Sequence, residues 1–503
     1  MRPSVRLFFM TLSCLGLGVA PARAADERRI EQTVPELDRL FHDFQVDSHS
    51  PGLIYGIVAD GHLVHVKGFG VQDLVHNRQV TPDSLFRIAS MTKAFTALSI
   101  LKLREQGKIG LDDLAEKYVP EMRGWTYPTK DSPHIRIRDL LTHSAGLVDD
   151  NPWGDRQTPL PEGEFTRMLA AGIPFSSSPA TRYEYSNFGF ALLGRIIATV
   201  SGMSYRRFVE RSLLTPLEMT SSGYAVGEWP VERRAIGYRW EDGRWKEEPT
   251  MGDGAFGAMG GLQTSANDYA RWVAFLLSAW PPRDDADTGP VSRASVRMLS
   301  EGSNHVAIAQ RNGRSGATAC RLASAYGFGM RIAQDCDLGL TLAHGGGYPG
   351  YGSHMMLMPD YGVGIFVFTN RTYNGGSGPA WDAAIALKQA GALIARATPV
   401  TPLLAEDYAV AGRIYAAGDA RGERAGLAMN FLMDRDADGW ARKLAALRDE
   451  AGACDTNAPV TATGNLSGSF TWSCDKGRVT GTLLLAPTST AQIQELKLEA
   501  KAP

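Results

Sequence analysis

A lysine set inside an apolar helix constrains this 503-residue chain more than any other single feature. The stretch FRIASMTKAFTALSILKL, Phe86 to Leu103, is patterned like a buried helix. Lys93 lies in it, three residues after Ser90. An ammonium buried without partners is expensive. Either Lys93 points to solvent, or the fold brings acceptors to it and uses it. Residues three apart on a helix have Cβ atoms about 5–6 Å apart on one face, so Lys93 can reach the Ser90 oxygen. Desolvation would then lower its pKa and let it accept the serine proton.

Ser-x-x-Lys alone is a weak signal. It occurs three times, at Ser90–Lys93, Ser99–Lys102 and Ser473–Lys476, so at least two copies are coincidence. Ser473–Lys476 lies in a strand-rich tail, where a gap of three gives no shared face. Ser99–Lys102 is deeper in the helix, among Leu98, Ile100 and Leu101. Ser90 follows Arg87-Ile88-Ala89 at the expected helix start, where a hydroxyl can face a cleft beside free backbone N–H groups.

Two downstream motifs favour the first copy. YEYSNFGF holds Tyr185-Ser186-Asn187, the only Tyr-x-Asn in the chain. On an extended piece these two side chains point the same way, and a phenol near a cationic lysine loses its proton more easily and can relay protons. LTLAHGGGYPGYGSHMMLMPD holds His344-Gly345-Gly346-Gly347, the only His-x-Gly. Its glycines admit close approach of a backbone or a substrate, and a free N–H there can stabilise an oxyanion. Read singly, each motif has an ordinary structural explanation: a cap with a solvated lysine, a loop anchor with a capping Asn, a Gly-rich turn.

The rest of the chain reads as α+β. A helix is expected over Ile30–Val46, then a hairpin turning at Asp60-Gly61. On its second strand His62 and His65 would face opposite sides and could not chelate together. Asp83 and Ser84 are candidate caps for the Ser90 helix, which could also begin near Ser90. A short helix before Gly146, a loop-rich stretch over residues 151–180, and helices over Phe188–Gly202 and Ala266–Ala279 follow. Residues 281–319 read as an exposed excursion. Strands are expected near Tyr326–Ala333, Leu338–Ala343, Ser353–Met358 and Val363–Thr369, then a helix Ala380–Ala397. ATPVTP, residues 397–402, reads as a linker to about three helical stretches and a strand-rich tail.

Composition narrows the function classes. With 44% apolar and 21% charged residues, a large core is expected. Arg2 and Arg6, the apolar run Leu7–Val19 and Ala22-Arg23-Ala24 read as a signal peptide over residues 1–24. A lipoprotein reading at Cys14 would cut the apolar run too early. No later stretch is long and apolar enough for a membrane span, so an exported protein, periplasmic or secreted, is expected. Losing residues 1–24 removes three Arg and moves the net charge from −2 to −5. Without a basic tract, nucleic acid is excluded as a partner. Cys320, Cys336, Cys454 and Cys474 remain; an oxidising compartment favours disulfides. Proximity suggests Cys320–Cys336 and Cys454–Cys474, although three pairings are possible. No ligand spacing indicates a metal.

The order Ser-x-x-Lys, Tyr-x-Asn, His-x-Gly, with TPDSLFRIASMTKAFTAL, IRIRDLLTHSAGL, YEYSNFGFALLGRII and GGLQTSANDYARW around it, resembles the penicillin-recognising serine hydrolases. The similarity is to the class C β-lactamase-like branch, which includes D-Ala-D-Ala carboxypeptidases, D-aminopeptidases and esterases, and it covers roughly residues 30–395. The resemblance implies a β-lactamase/transpeptidase-like fold: an antiparallel sheet flanked by helices, plus a helical lobe, over residues 25–397. A small C-terminal α+β module of unknown partner would follow over 403–503. It implies Ser90 as nucleophile, Lys93 as its base, and Tyr185 as general base or proton relay. Asn187 would hold the acyl side chain and the lysine. The N–H groups of Ser90 and Gly347 would form the oxyanion hole, with Gly346 beside them. His344 would replace the third motif's basic residue, which in many relatives is a lysine that attracts a substrate carboxylate. That departure argues for an esterase, amidase or peptidase over an efficient β-lactamase. No cofactor is implied, and the partner would be a small-molecule or short-peptide substrate. Ser144 in THSAG and Ser265-x-Asn267 are rival motifs. A catalytically silent protein that binds cell-wall peptides is the alternative from another class.

Overall fold

The computed structural model describes residues 25–311 and 320–501. The expected signal peptide lies outside the described residues, as does the 312–319 part of the expected excursion.

A nine-stranded sheet organises the larger part of the chain. Its strands run in the spatial order Arg78–Gln79, His62–Asp73, Gly52–Ala59, Val363–Thr369, Tyr351–Met358, Gly339–Tyr348, Arg331–Asp335, Cys320–Tyr326, Asn304–Arg311. Each pairing is antiparallel. Gly52–Ala59, Tyr351–Met358 and Val363–Thr369 are buried at every position. Helices on both faces are the reason, and they explain why these strands read as continuous apolar runs without alternation. Glu27–Asp47 and Ser377–Gln389 cover one face, around Phe41, Tyr55, Ile365 and Leu387. Thr92–Glu105, Asn187–Ser201 and Ala266–Leu277 form the core on the other, with Phe95, Leu193, Trp272 and Phe368. Each large apolar side chain buried there contributes about 1.5–3 kcal/mol. This is the expected α+β architecture with its helical lobe.

Several local expectations are corrected. The hairpin turns at Asp60 and Gly61, both at positive φ, as a type I′ turn requires. However, its register slips between Ile57 and Val58. That bulge returns His62 and His65 to one face, where His62 lies 3.7 Å from Glu27 and His65 3.1 Å from Asp38. Ser84 caps no helix: its hydroxyl accepts from the Thr81 N–H. Phe86–Arg87 instead pairs with Gln263–Thr264 as a short strand, so the helix starts at Thr92 after a 3₁₀ turn, Ala89–Met91. The short helix Ile137–Leu141 ends before Gly146. The 151–180 stretch holds helices Asn151–Gly154 and Glu162–Ala171. The excursion contributes a helix, Arg293–Arg297, and the edge strand Asn304–Arg311. The strand expected over Tyr326–Ala333 is two, divided by a turn after Tyr326. The last helix of this part ends at Gln389, where Gly391 takes a positive φ.

Beyond residue 401 the chain builds a second core. Helices Pro402–Ala417, Phe431–Asp434 and Ala437–Ala451 pack Tyr415, Trp440 and Leu444 against Trp472 and Ile493 of a separate four-stranded sheet. Disulfides join Cys320 to Cys336 and Cys454 to Cys474. No single helix among the described residues is long and apolar enough to cross a membrane.

Candidate active site

Ala89 takes φ 49°, an uncommon conformation for a residue with a side chain. It makes the sharp turn that presents Ser90 just before the helix. The Ser353 hydroxyl donates to the Ile88 carbonyl at 2.7 Å and ties that turn to the sheet. Gly346 allows the contact: a Cβ there would lie 2.1 Å from the Ser353 Oγ and 2.3 Å from the Ile88 oxygen. Pairing of Gly339–Tyr348 with Arg331–Asp335 stops at Ala343, so from His344 onward that strand edge faces the Ser90 turn.

Lys93 is 0% exposed. Its three N–H donors meet three acceptors: Ser90 Oγ at 3.0 Å, Asn187 Oδ1 at 2.7 Å and the Met259 carbonyl at 2.9 Å. This geometry resolves the cost of the buried amine posed by the sequence. Burial pushes the Lys93 pKa down, and the Asp155 and Asp150 carboxylates oppose the shift. A lysine that loses its proton this readily can turn a lone pair toward the Ser90 hydroxyl.

Tyr185 behaves differently from the expectation. Burial raises its phenol well above the ordinary value, with a hydrogen bond to Ser90 acting in the opposite direction. Lys93 sits 4.8 Å from the centre of its ring, yet the phenol stays an O–H donor because desolvation outweighs nearby charge. Asn187 opens the helix Asn187–Ser201 but does not cap it. Ser186 does, accepting from the Gly189 N–H at 3.2 Å. Asp150 takes the Asn187 and Phe188 N–H groups at 2.6 and 2.9 Å.

His344 is buried and its pKa falls to about 3, first through desolvation and then through the Lys93 charge. Its Nδ1 lies 2.6 Å from the Gly345 carbonyl, which can only accept, so Nδ1 carries the proton. Nε2 then accepts from the Tyr326 hydroxyl at 2.9 Å. A neutral imidazole held at both nitrogens cannot serve as the third motif's cation.

Ser90, Tyr185, His344 and Gly347 line a cleft of about 370 Å³ with Asp149, Asn151, Asp155, Tyr183, Arg331 and Tyr373. The sequence singled out none of these six, although Asn151 and Asp155 belong to the 151–180 loop expected to shape the cleft. The acid-rich run VDDNPWGD offered a signal for Asp149, Asn151 and Asp155, whereas Arg331 and Tyr373 reach the cleft through strand register and a loop turn. A larger groove, about 560 Å³, lies on the C-terminal sheet among Thr461, Thr471, Thr480 and Thr482; it is remote in sequence from all three motifs.

The rival motifs sit elsewhere. Ser144 pairs with the Thr142 hydroxyl at 3.0 Å. Ser265 caps the helix Ala266–Leu277, and Asn267 donates to Asp83 at 2.9 Å on the surface. In the second Ser-x-x-Lys copy, Ser99 donates to the Phe95 carbonyl and Lys102 to the Pro290 carbonyl.

Known proteins resemble this chain in sequence and fold. Protein flp of Staphylococcus aureus (strain COL) is 30% identical over 334 residues, 65% of this chain and 61% of that protein. Beta-lactamase-like protein 2 of Dictyostelium discoideum is 28% identical over 317 residues, 60% of this chain and 57% of that protein. The chain thus spans about three fifths of the length of these relatives. The octameric penicillin-binding protein homologue from Pyrococcus abyssi superimposes with a TM-score of 0.59 at 21% identity, over 92% of this chain and 99% of that one. D-alanine carboxypeptidase AmpC from Burkholderia cenocepacia does so with a TM-score of 0.55 at 20% identity, over 71% and 100%. At such identities the structural likeness is one of fold. A profile of the Beta-lactamase family matches residues 37–390, and the chain belongs to that family.

Proposed function

We propose that this protein is an exported serine hydrolase that cleaves an ester or amide through an acyl-enzyme at Ser90. The observation that carries the reading is the fully buried Lys93, 3.0 Å from Ser90 and held by acceptors from two other segments. In the proposed reaction, neutral Lys93 takes the Ser90 proton as Oγ attacks the carbonyl carbon. The N–H groups of Ser90 and Gly347 receive the negative charge on the carbonyl oxygen. Tyr185, as a protonated phenol, donates to the departing oxygen or nitrogen, and Lys93 replenishes it. Water then adds to the acyl carbon by the same proton path, and Ser90 leaves.

The site's charge narrows the substrate. With His344 neutral, Arg331 is the guanidinium lining the cleft. It donates to the Tyr183 hydroxyl at 3.3 Å. No carboxylate lies within salt-bridge distance of it among the described residues, which leaves it open to a substrate anion. The neutral imidazole favours esters or peptides over β-lactams. The signal-like first 24 residues and the two disulfides support export.

The test is covalent labelling with a fluorophosphonate and with a penicillin probe, followed by parallel turnover of p-nitrophenyl esters, D-amino-acid anilides and nitrocefin. We expect labelling of the parent and none of Ser90→Ala. Equal labelling of Ser90→Ala would overturn the assignment.

A further inference from the structure

The segment Asp150–Asp155 wraps the start of the helix Asn187–Ser201 more closely than a specificity loop needs to. Gly154 makes the approach possible: a Cβ on it would stand 2.9 Å from the Asn187 Cβ. Asp150 takes the two backbone N–H groups already described. The Asn187 side-chain amide then spends both its N–H donors on this segment, on Asn151 Oδ1 at 3.1 Å and Asp155 Oδ1 at 3.4 Å. With acceptors on that side, the amide can only turn its carbonyl toward Lys93. Asp155 itself is 3% exposed and also hydrogen-bonds the Tyr373 hydroxyl. Tyr373 comes from the opposite wall, at φ 57°, and its ring lies so close to Gly347 that a Cβ there would meet it at 2.7 Å.

We propose, resting on the Ser90 acyl-enzyme reading, that Asp155 is a positioning residue of this site. Through Asn187 it orients and electrostatically biases Lys93, and through Tyr373 it fixes the wall beside the oxyanion hole. Ser90, Lys93, Asn187, Asp155, Tyr373 and Gly347 thereby form a continuous chain of contacts from the nucleophile to the strand that would hold the oxyanion. One carboxylate governs both the proton acceptor and the oxyanion strand, although it touches neither the nucleophile nor the carbonyl.

The charges facing Lys93 decide the sign of the test. Asp155 and Asp150 approach from the wrapping segment, and Tyr185 from the extended piece before the helix. His143 and His344, whose pKa values are both lowered, face it from two further elements. Asp155 in turn faces Lys93, Tyr373, Asp150 and Asp149. Burial raises the Asp155 pKa to about 7 against the pull of Lys93, so the two groups titrate together. In its ionised form the carboxylate favours protonated Lys93, and its loss frees the base at lower pH.

The experiment is kcat and KM against pH with p-nitrophenyl butyrate, for the full chain, Asp155→Asn, Asp155→Ala and Tyr373→Phe, with Ser90→Ala as control. For Asp155→Asn the acid limb of kcat/KM should move down by about one pH unit. Asp155→Ala, which removes the acceptor that Asn187 uses, should lower the plateau kcat about tenfold with KM nearly unchanged. Tyr373 is 51% exposed, so Tyr373→Phe should fold like the parent. By removing a donor that favours charged Asp155, it should move the limb the same way by less. Profiles that superimpose on the parent for any folded variant overturn the proposal, and Tyr373→Phe decides it if neither Asp155 variant folds. Turnover retained in Ser90→Ala sinks the acyl-enzyme reading itself. An inactive Ser90→Ala beside unmoved profiles sinks only the role of Asp155.

Discussion

Lys93→Met removes the amine but keeps an unbranched side chain of similar length in the same fully buried position. Of the three acceptors that lose their donor, Ser90 can turn to Tyr185, which leaves Asn187 Oδ1 and the Met259 carbonyl unpaired. Each buried unpaired acceptor costs about 1–3 kcal/mol, together about 2–6 kcal/mol. A buried methionine returns about 1.5–3 kcal/mol, and the desolvation cost of the amine disappears as well. The variant should therefore fold, within roughly 3 kcal/mol of the parent. Activity should respond far more. Losing a general base costs about 10²–10⁴-fold, or about 3–5 kcal/mol of barrier. The acid limb of kcat/KM should vanish with it, since on the proposed mechanism the parent should gain activity as pH rises and Lys93 loses its proton. Urea unfolding beside p-nitrophenyl butyrate turnover measures both quantities. A folded Lys93→Met with activity within tenfold of the parent, or with the acid limb intact, would refute Lys93 as the base.

Two further substitutions probe the remaining groups. Tyr185→Phe should lower kcat by about 10²-fold on an anilide, whose nitrogen must be protonated to leave. On a p-nitrophenyl ester the loss should be much smaller, and equal losses on both would remove Tyr185 from leaving-group protonation. Arg331→Ala should raise KM about tenfold for an ester bearing a carboxylate, the loss of one charge-assisted contact, and leave its methyl ester unaffected. The same comparison in His344→Gln should show no charge preference lost, because the imidazole is already neutral at neutral pH.

Motif order made the centre of the site legible, because Ser-x-x-Lys, Tyr-x-Asn and His-x-Gly each lie within a few residues of local structure. The central strands were legible for the same reason: burial on both faces leaves a continuous apolar run. What the sequence hid depends on tertiary setting. The neutrality of His344 follows from burial and from the charge of Lys93, which lies on a distant helix. The phenol of Tyr185 rises where a nearby lysine suggested it would fall, since desolvation outweighs the charge. Arg331 reaches the cleft through strand register, and no periodicity marks it. A bulge between Ile57 and Val58 inverted the facing of His62 and His65, as one extra residue does wherever the period is two.

The three acceptors of Lys93 lie 3, 94 and 166 positions away along the chain. Contacts so distant in sequence form late, after the loops between them have closed. Until the segments bearing Asn187 and Met259 have docked, Lys93 is an ordinary solvated ammonium and Ser90 an ordinary alcohol. If Ser90 is the nucleophile, turnover recovered on refolding should report the last docking event and not the formation of the helix. On the proposed reading, nucleophile and base are assembled only when all three segments have met.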